Sequence, residues 1–114
     1  MTRQLVELSE CLALHSRLQK PDGSGGYTER WMTLGYLWAK VAPKSGAPVS
    51  GQTAPLAKSD YDITVRHADF HAPTRPKPGQ RFVSKDRIFE ITAVIEADTQ
   101  NRYLVCSATE EKTL

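Results

Sequence analysis

No stretch of the 114 residues approaches the roughly 20 apolar residues that a membrane-crossing helix needs. Cysteine is scarce. Cys11 and Cys106 are too few and too far apart to form a zinc knuckle, and both sit in apolar stretches, where they read as buried free thiols. A disulfide would need an oxidising compartment, which nothing else in the sequence suggests. There is no Gly-Lys-Ser/Thr phosphate loop. Gly23-Ser24-Gly25-Gly26 is no dinucleotide fingerprint, because Thr28 stands where a third glycine is needed and no helix pattern follows. Serine, histidine and aspartate occur without a nucleophile elbow. Met1 to Leu14 lacks a basic start and an apolar run, since Glu7 and Glu10 interrupt it, so an intracellular product is expected. These absences together predict a protein that is not an enzyme and that carries no cofactor and no metal.

One motif has the right donors for a metal. In His67-Ala68-Asp69-Phe70-His71 two imidazoles flank a carboxylate. A spacing of four unites two histidines only on a helix, and this stretch runs into prolines, so they read as surface histidines.

Charge is present in ordinary amount but unevenly placed. The net charge is +2. Residues 1–39 are neutral overall, residues 40–87 carry nine basic and four acidic groups, and residues 88–114 carry two basic and five acidic groups. A basic middle and an acidic end suit a subunit that meets neighbours of opposite sign.

The dominant local pattern is a period of two, which alternates side chains across a strand. Leu12, Leu14, Ser16 and Leu18 alternate with Ala13, His15, Arg17 and Gln19. The preceding Thr2–Glu10 fits either a helical turn or a frayed arm. Pro21 to Gly26 forms a turn, after which Tyr27 to Val41 reads as a long strand kinked at Gly35. Residues 42–58, with Pro43, Pro48, Pro55 and several glycines and serines, read as a long loop. Further strands are expected at Tyr61–Arg66, Arg81–Val83, Ile88–Glu96 and Tyr103–Ala108, with the proline-rich 71–79 as a second irregular connection and 109–114 loose. On the Ile88–Glu96 strand, Phe89, Ile91, Ala93 and Ile95 are expected to share one face. The predicted fold is a single mainly all-β domain over 1–114. It is a small antiparallel barrel or sandwich of about six strands with one long extruding loop.

Nucleic-acid binding by such a barrel is the competing reading, since basic grooves with exposed aromatics hold single strands. Against it, Trp31, Trp38 and Phe89 fall where core or interface residues are expected.

In order along the chain come Gly25-Gly26-Tyr27-Thr28-Glu29-Arg30-Trp31, Trp38-Ala39-Lys40-Val41, Pro43-Lys44-Ser45-Gly46, Ile63-Thr64-Val65-Arg66, Gly79-Gln80-Arg81-Phe82, Ile88-Phe89-Glu90-Ile91 and Leu104-Val105-Cys106. This ordered set, from about residue 10 to 110, resembles the head–tail joining family of long-tailed bacteriophages and gene transfer agents, whose members are also called head-closure, stopper or adaptor proteins. The chain departs from that family at its N-terminus, which is not the usual short basic lead, and at the extra prolines of 71–78.

The resemblance implies a virion structural protein made in a bacterial host cytoplasm and placed in the particle neck. It implies a homo-oligomeric ring of six or twelve copies, bound to portal or adaptor proteins on one side and tail terminator or tail tube proteins on the other. The ring would contact packaged double-stranded DNA non-specifically and touch no membrane. By position, 42–58 matches the family's channel loop, which makes Lys44, Ser45, Gly46, Ser50, Gly51 and Lys58 the channel and DNA-gating candidates. Trp31, Trp38, Arg66, Arg81, Arg87, Glu96 and Glu110 are the subunit-interface candidates.

Overall fold

A computed structural model describes residues 6–44 and 56–113. It contains six strands, and no helix among the described residues: β1 (Glu10–Pro21), β2 (Tyr27–Pro43), β3 (Leu56–Arg66), β4 (Arg81–Ser84), β5 (Arg87–Glu96) and β6 (Tyr103–Thr113). All pairings are antiparallel. The sheet runs β1-β2-β3-β6-β5-β4 and closes when Ala13–His15 of β1 pair with Arg81–Val83 of β4. Closure removes most open sheet edges, which otherwise invite pairing with other chains.

Alternation along each strand fills the interior. Leu12 and Leu14 of β1, Ile63 and Val65 of β3, Phe82 of β4, Phe89 and Ile91 of β5, and Leu104 and Cys106 of β6 are buried together. Burying each large apolar side chain is worth about 1.5–3 kcal/mol. Two bulges reset the alternation. Leu14 pairs with Gly35 but His15 pairs with Thr33, so Leu34 is the extra residue at the kink expected near Gly35. On β5, Ile91 pairs with Ala108 but Ala93 pairs with Ser107. Thr92 is left over and donates its hydroxyl to the Ser107 carbonyl at 3.0 Å.

The second bulge corrects the expected β5 face. Phe89 and Ile91 point inward, but after Thr92 the inward role passes to Val94, while Ala93 and Ile95 turn out to solvent. Three other expectations also need correction. Thr109–Thr113 is not loose; it continues β6 against Leu56–Asp60. The irregular stretch 42–58 is shorter at both ends, because β2 extends to Pro43 and β3 begins at Leu56, with the Lys44 amide donating to the Asp60 carbonyl at 2.9 Å. Cys11 faces solvent, whereas Cys106 is buried.

Two ribbons leave the barrel. At the upper end, β3 and β6 run on as a pair past the point where β2 and β5 stop. At the lower end, the β1–β2 hairpin continues as two strands from about Ser16 to Met32, its Pro21–Gly26 turn held by the Asp22 carboxylate accepting from the Ser24 and Gly26 amides. The longest dimension is 62 Å. The 67–80 connection lies across the lower end, where Pro76 is fully buried. Its prolines do not make it loose. Ala72 donates to Asp69, Arg75 donates to Ala72, and the Arg75 guanidinium donates to the Ala68 carbonyl at 2.8 Å.

Candidate subunit interface

Of the seven expected interface residues, Arg87 and Glu110 are taken up within the chain. They lie on adjacent strands and point inward at the upper end. Arg87 Nε and Nη2 donate to the two Glu110 carboxylate oxygens at 2.7 and 3.1 Å. The Glu110 side chain is 2% exposed. The same guanidinium sits 4.7 Å from the Phe89 ring centre and 5.6 Å from that of Tyr61. The carboxylate hydrogen bond pushes the Arg87 pKa up.

Trp31 and Arg81 are also internal. The Arg81 guanidinium lies 3.9 Å from the Trp31 ring centre and the Arg17 guanidinium lies 5.1 Å from it, so two cations pack on the indole at the root of the hairpin. Burial depresses the Arg81 pKa, Glu90 opposes that, and Arg17 adds to it. His15 stands opposite Arg81, and its pKa falls through burial first and through Arg81 second.

Trp38 and Arg66 face outward on adjacent strands. With Val6 and Leu8 they line a shallow open groove. Trp38 is 59% exposed, and neighbouring Tyr36 is exposed too. Glu96 lies at the end of β5, half-exposed, 4.0 Å from His67 Nε2. Indoles alone in sequence do not distinguish these roles. The Leu34 bulge and the position of β4 decide that Trp31 is covered and Trp38 is not.

Of the channel candidates, Lys44 is held on the outside of the barrel, 3.6 Å from the Asp62 carboxylate and 3.2 Å from the Ser107 hydroxyl. Lys58 belongs to β3, opposite Glu111. Ser45, Gly46, Ser50 and Gly51 lie outside the described residues.

Two exposed features escaped sequence reasoning. Ile95 is 61% exposed because of the Thr92 bulge. Phe70 is 68% exposed on the 67–80 connection, flanked by Arg75 and Lys77 with charged atoms 5.5 and 5.9 Å from the ring centre. Among the described residues, no three histidine, cysteine or carboxylate side chains group as metal ligands.

The class defined by this geometry is an all-β protein whose closed six-stranded sheet leaves Trp38, Tyr36 and Ile95 exposed on its outer wall. The model of the phage head completion protein family matches residues 5–111, and the chain belongs to that family. A chain in the solved structure titled "Virion of native gene transfer agent (GTA) particle" has the same fold. It aligns with a TM-score of 0.80 and 39% identity, over 93% of this chain and 96% of that one. No curated protein matches. The family is one of virion structural proteins, and this chain is such a protein, of phage or phage-like particles.

Proposed function

We propose that the chain is a ring-forming subunit at the head–tail junction. It sits between portal or adaptor proteins and the tail, and it closes the DNA channel until ejection. The observation that carries this reading is the match along nearly the full chain, at 39% identity, to a subunit seated in a virion. The barrel suits the role because it is rigid through closure of its sheet, so contacts on its wall keep fixed directions. The 42–58 connection, expected to be the channel loop, leaves β2 at the upper end, where Lys44 lies 3.6 Å from the Asp62 carboxylate. Facing a central channel, that connection would carry the gating role, in a ring of six or twelve copies.

The test is genetic and visual. Particles made without this chain are expected to show filled heads that leak DNA or carry no tails in electron micrographs. Normal tailed particles would overturn the proposal.

A second reading, binding of nucleic acid by the isolated barrel, draws on Phe70 between Arg75 and Lys77, an aromatic face flanked by cations. It predicts saturable DNA binding that weakens steeply with salt and is lost in Phe70→Ala. No binding at low salt eliminates it.

A further inference from the structure

Below the barrel, every residue of 17–30 except Gly26 is exposed, so the β1–β2 ribbon stands on no core of its own. Neither of its strands pairs with a third among the described residues. Unpaired strand edges of this kind are templates for another strand.

The hydrogen-bond phase fixes what each edge offers. The Asp22 amide donates to the Gly26 carbonyl at 3.0 Å, and the register runs unbroken from there up to His15 opposite Thr33. Facing residues exchange ladder bonds at every second pair. Lys20 with Thr28, Leu18 with Arg30 and Ser16 with Met32 are therefore the bonded pairs. Arg17, Gln19 and Pro21 on β1 turn their backbone groups outward, as do Tyr27, Glu29 and Trp31 on β2. Pro21 offers only its carbonyl. The β2 edge has no proline and no bulge over this length, so nothing blunts it.

The two edges fit each other. In a cyclic assembly all copies point the same way, so β2 of one copy runs antiparallel to β1 of the next. At level register Trp31 meets Arg17 of the next copy, and Glu29 meets Gln19. Within one chain the Arg17 guanidinium lies 3.7 Å from the Glu29 carboxylate and 5.1 Å from the Trp31 ring centre. A junction in this register brings the same three side chains together again, with Glu29 diagonal to the Arg17 of the next copy. On the other face Lys20 stands level with Thr28 and Arg30 with Leu18, so no like charges are directly opposed. Pairing like edges, β1 with β1 or β2 with β2, would point the ribbons in opposite directions and close no cyclic ring.

We infer that the ribbons of neighbouring copies join edge to edge, β2 of one against β1 of the next, so that one antiparallel sheet runs through residues 16–32 of every copy. The inference rests on the ring reading above and names the strands that join the copies. Such contacts are heterologous, and each added copy leaves one β1 edge and one β2 edge open until the ring closes.

The test uses particles built from chains that all carry Cys11→Ser, which removes the exposed native thiol. An equal mixture of Gln19→Cys and Glu29→Cys chains, treated with a short bismaleimide, is expected to yield mixed dimers. Particles holding either variant alone should yield none. No mixed dimer, or a dimer from one variant alone, would overturn the inference. In a second arm, Glu29→Pro removes one outward amide, a change an edge strand tolerates, and should lower incorporation into particles about tenfold or more. Glu29→Gln keeps that amide and should lose much less. Equal losses in the two variants, or normal incorporation of Glu29→Pro, would also overturn it. Failure of the ring reading looks different, since particles lacking the chain altogether would then be normal.

Discussion

Arg87 on β5 and Glu110 on β6 form a two-pronged ion pair across adjacent strands, with the carboxylate buried and the guanidinium under the edge-packed rings of Tyr61 and Phe89. The pair closes the upper end of the barrel where the core would otherwise meet water. Removing one member of a buried pair costs far more than the net worth of the pair, because the other is left desolvated. Arg87 is about one-third exposed, which tempers that cost. Arg87→Ala is therefore expected to destabilise the fold by about 2–3 kcal/mol. Glu110→Gln, which keeps the shape and one acceptor, should cost less. Chemical denaturation of the two variants checks the order, and an Arg87→Ala chain as stable as the parent would refute this account.

Gly35 has a packing reason for being glycine. A Cβ placed there would lie 3.1 Å from Thr74 Cγ2, where the 67–80 connection presses against β2. That connection is braced by its own hydrogen bonds, so it yields poorly. Gly35→Ala is expected to cost about 1 kcal/mol through overpacking. Thr74→Ser removes the offending methyl and should recover most of that loss. A double-mutant cycle with no coupling would show that the contact is not the cause.

How far these relationships could be read in advance depended on whether the controlling fact was local. The period-two runs around Leu12, Ile63 and Phe89 are local, and they placed the strands and most of the core. The Thr92 bulge is not announced by composition, so the outward turn of Ile95 was missed. The polar residues at 109–113 read as a loose end, because the partner that lets Glu110 be buried, Arg87, lies 23 residues away. The same two residues read as charges for a neighbour, since sequence shows their sign and not their distance. Sequence offers Trp38 and Arg66 as interface candidates, with the hairpin core open to Trp38 as well, and the groove that joins them to Val6 and Leu8 is visible only in the folded chain.

Trp31 governs the hairpin below the barrel. A two-stranded ribbon alone is marginal in water, and from Ser16 to Met32 this one pairs with no third strand among the described residues. The indole's contact with Arg81 ties its root to β4. Trp31→Ala is expected to raise amide exchange across 16–32 by an order of magnitude or more while leaving β3, β5 and β6 protected. A uniform rise over all strands would instead mean that Trp31 supports the whole barrel.

The two cysteines differ in a way that thiol chemistry can read. Thiolate is the reactive form. Burial pushes the Cys106 pKa up to about 12, with Arg75 offsetting only part of that. At pH 8 its thiolate fraction is therefore on the order of one in ten thousand, and the packed core also blocks access. Cys11 stands in solvent on the outer wall. A maleimide at pH 8 should label the folded chain once, at Cys11, and label it twice only after denaturation. Two rapid equivalents on the folded chain would mean that the core around Cys106 opens on the labelling timescale, contrary to a barrel closed by Arg87 and Glu110.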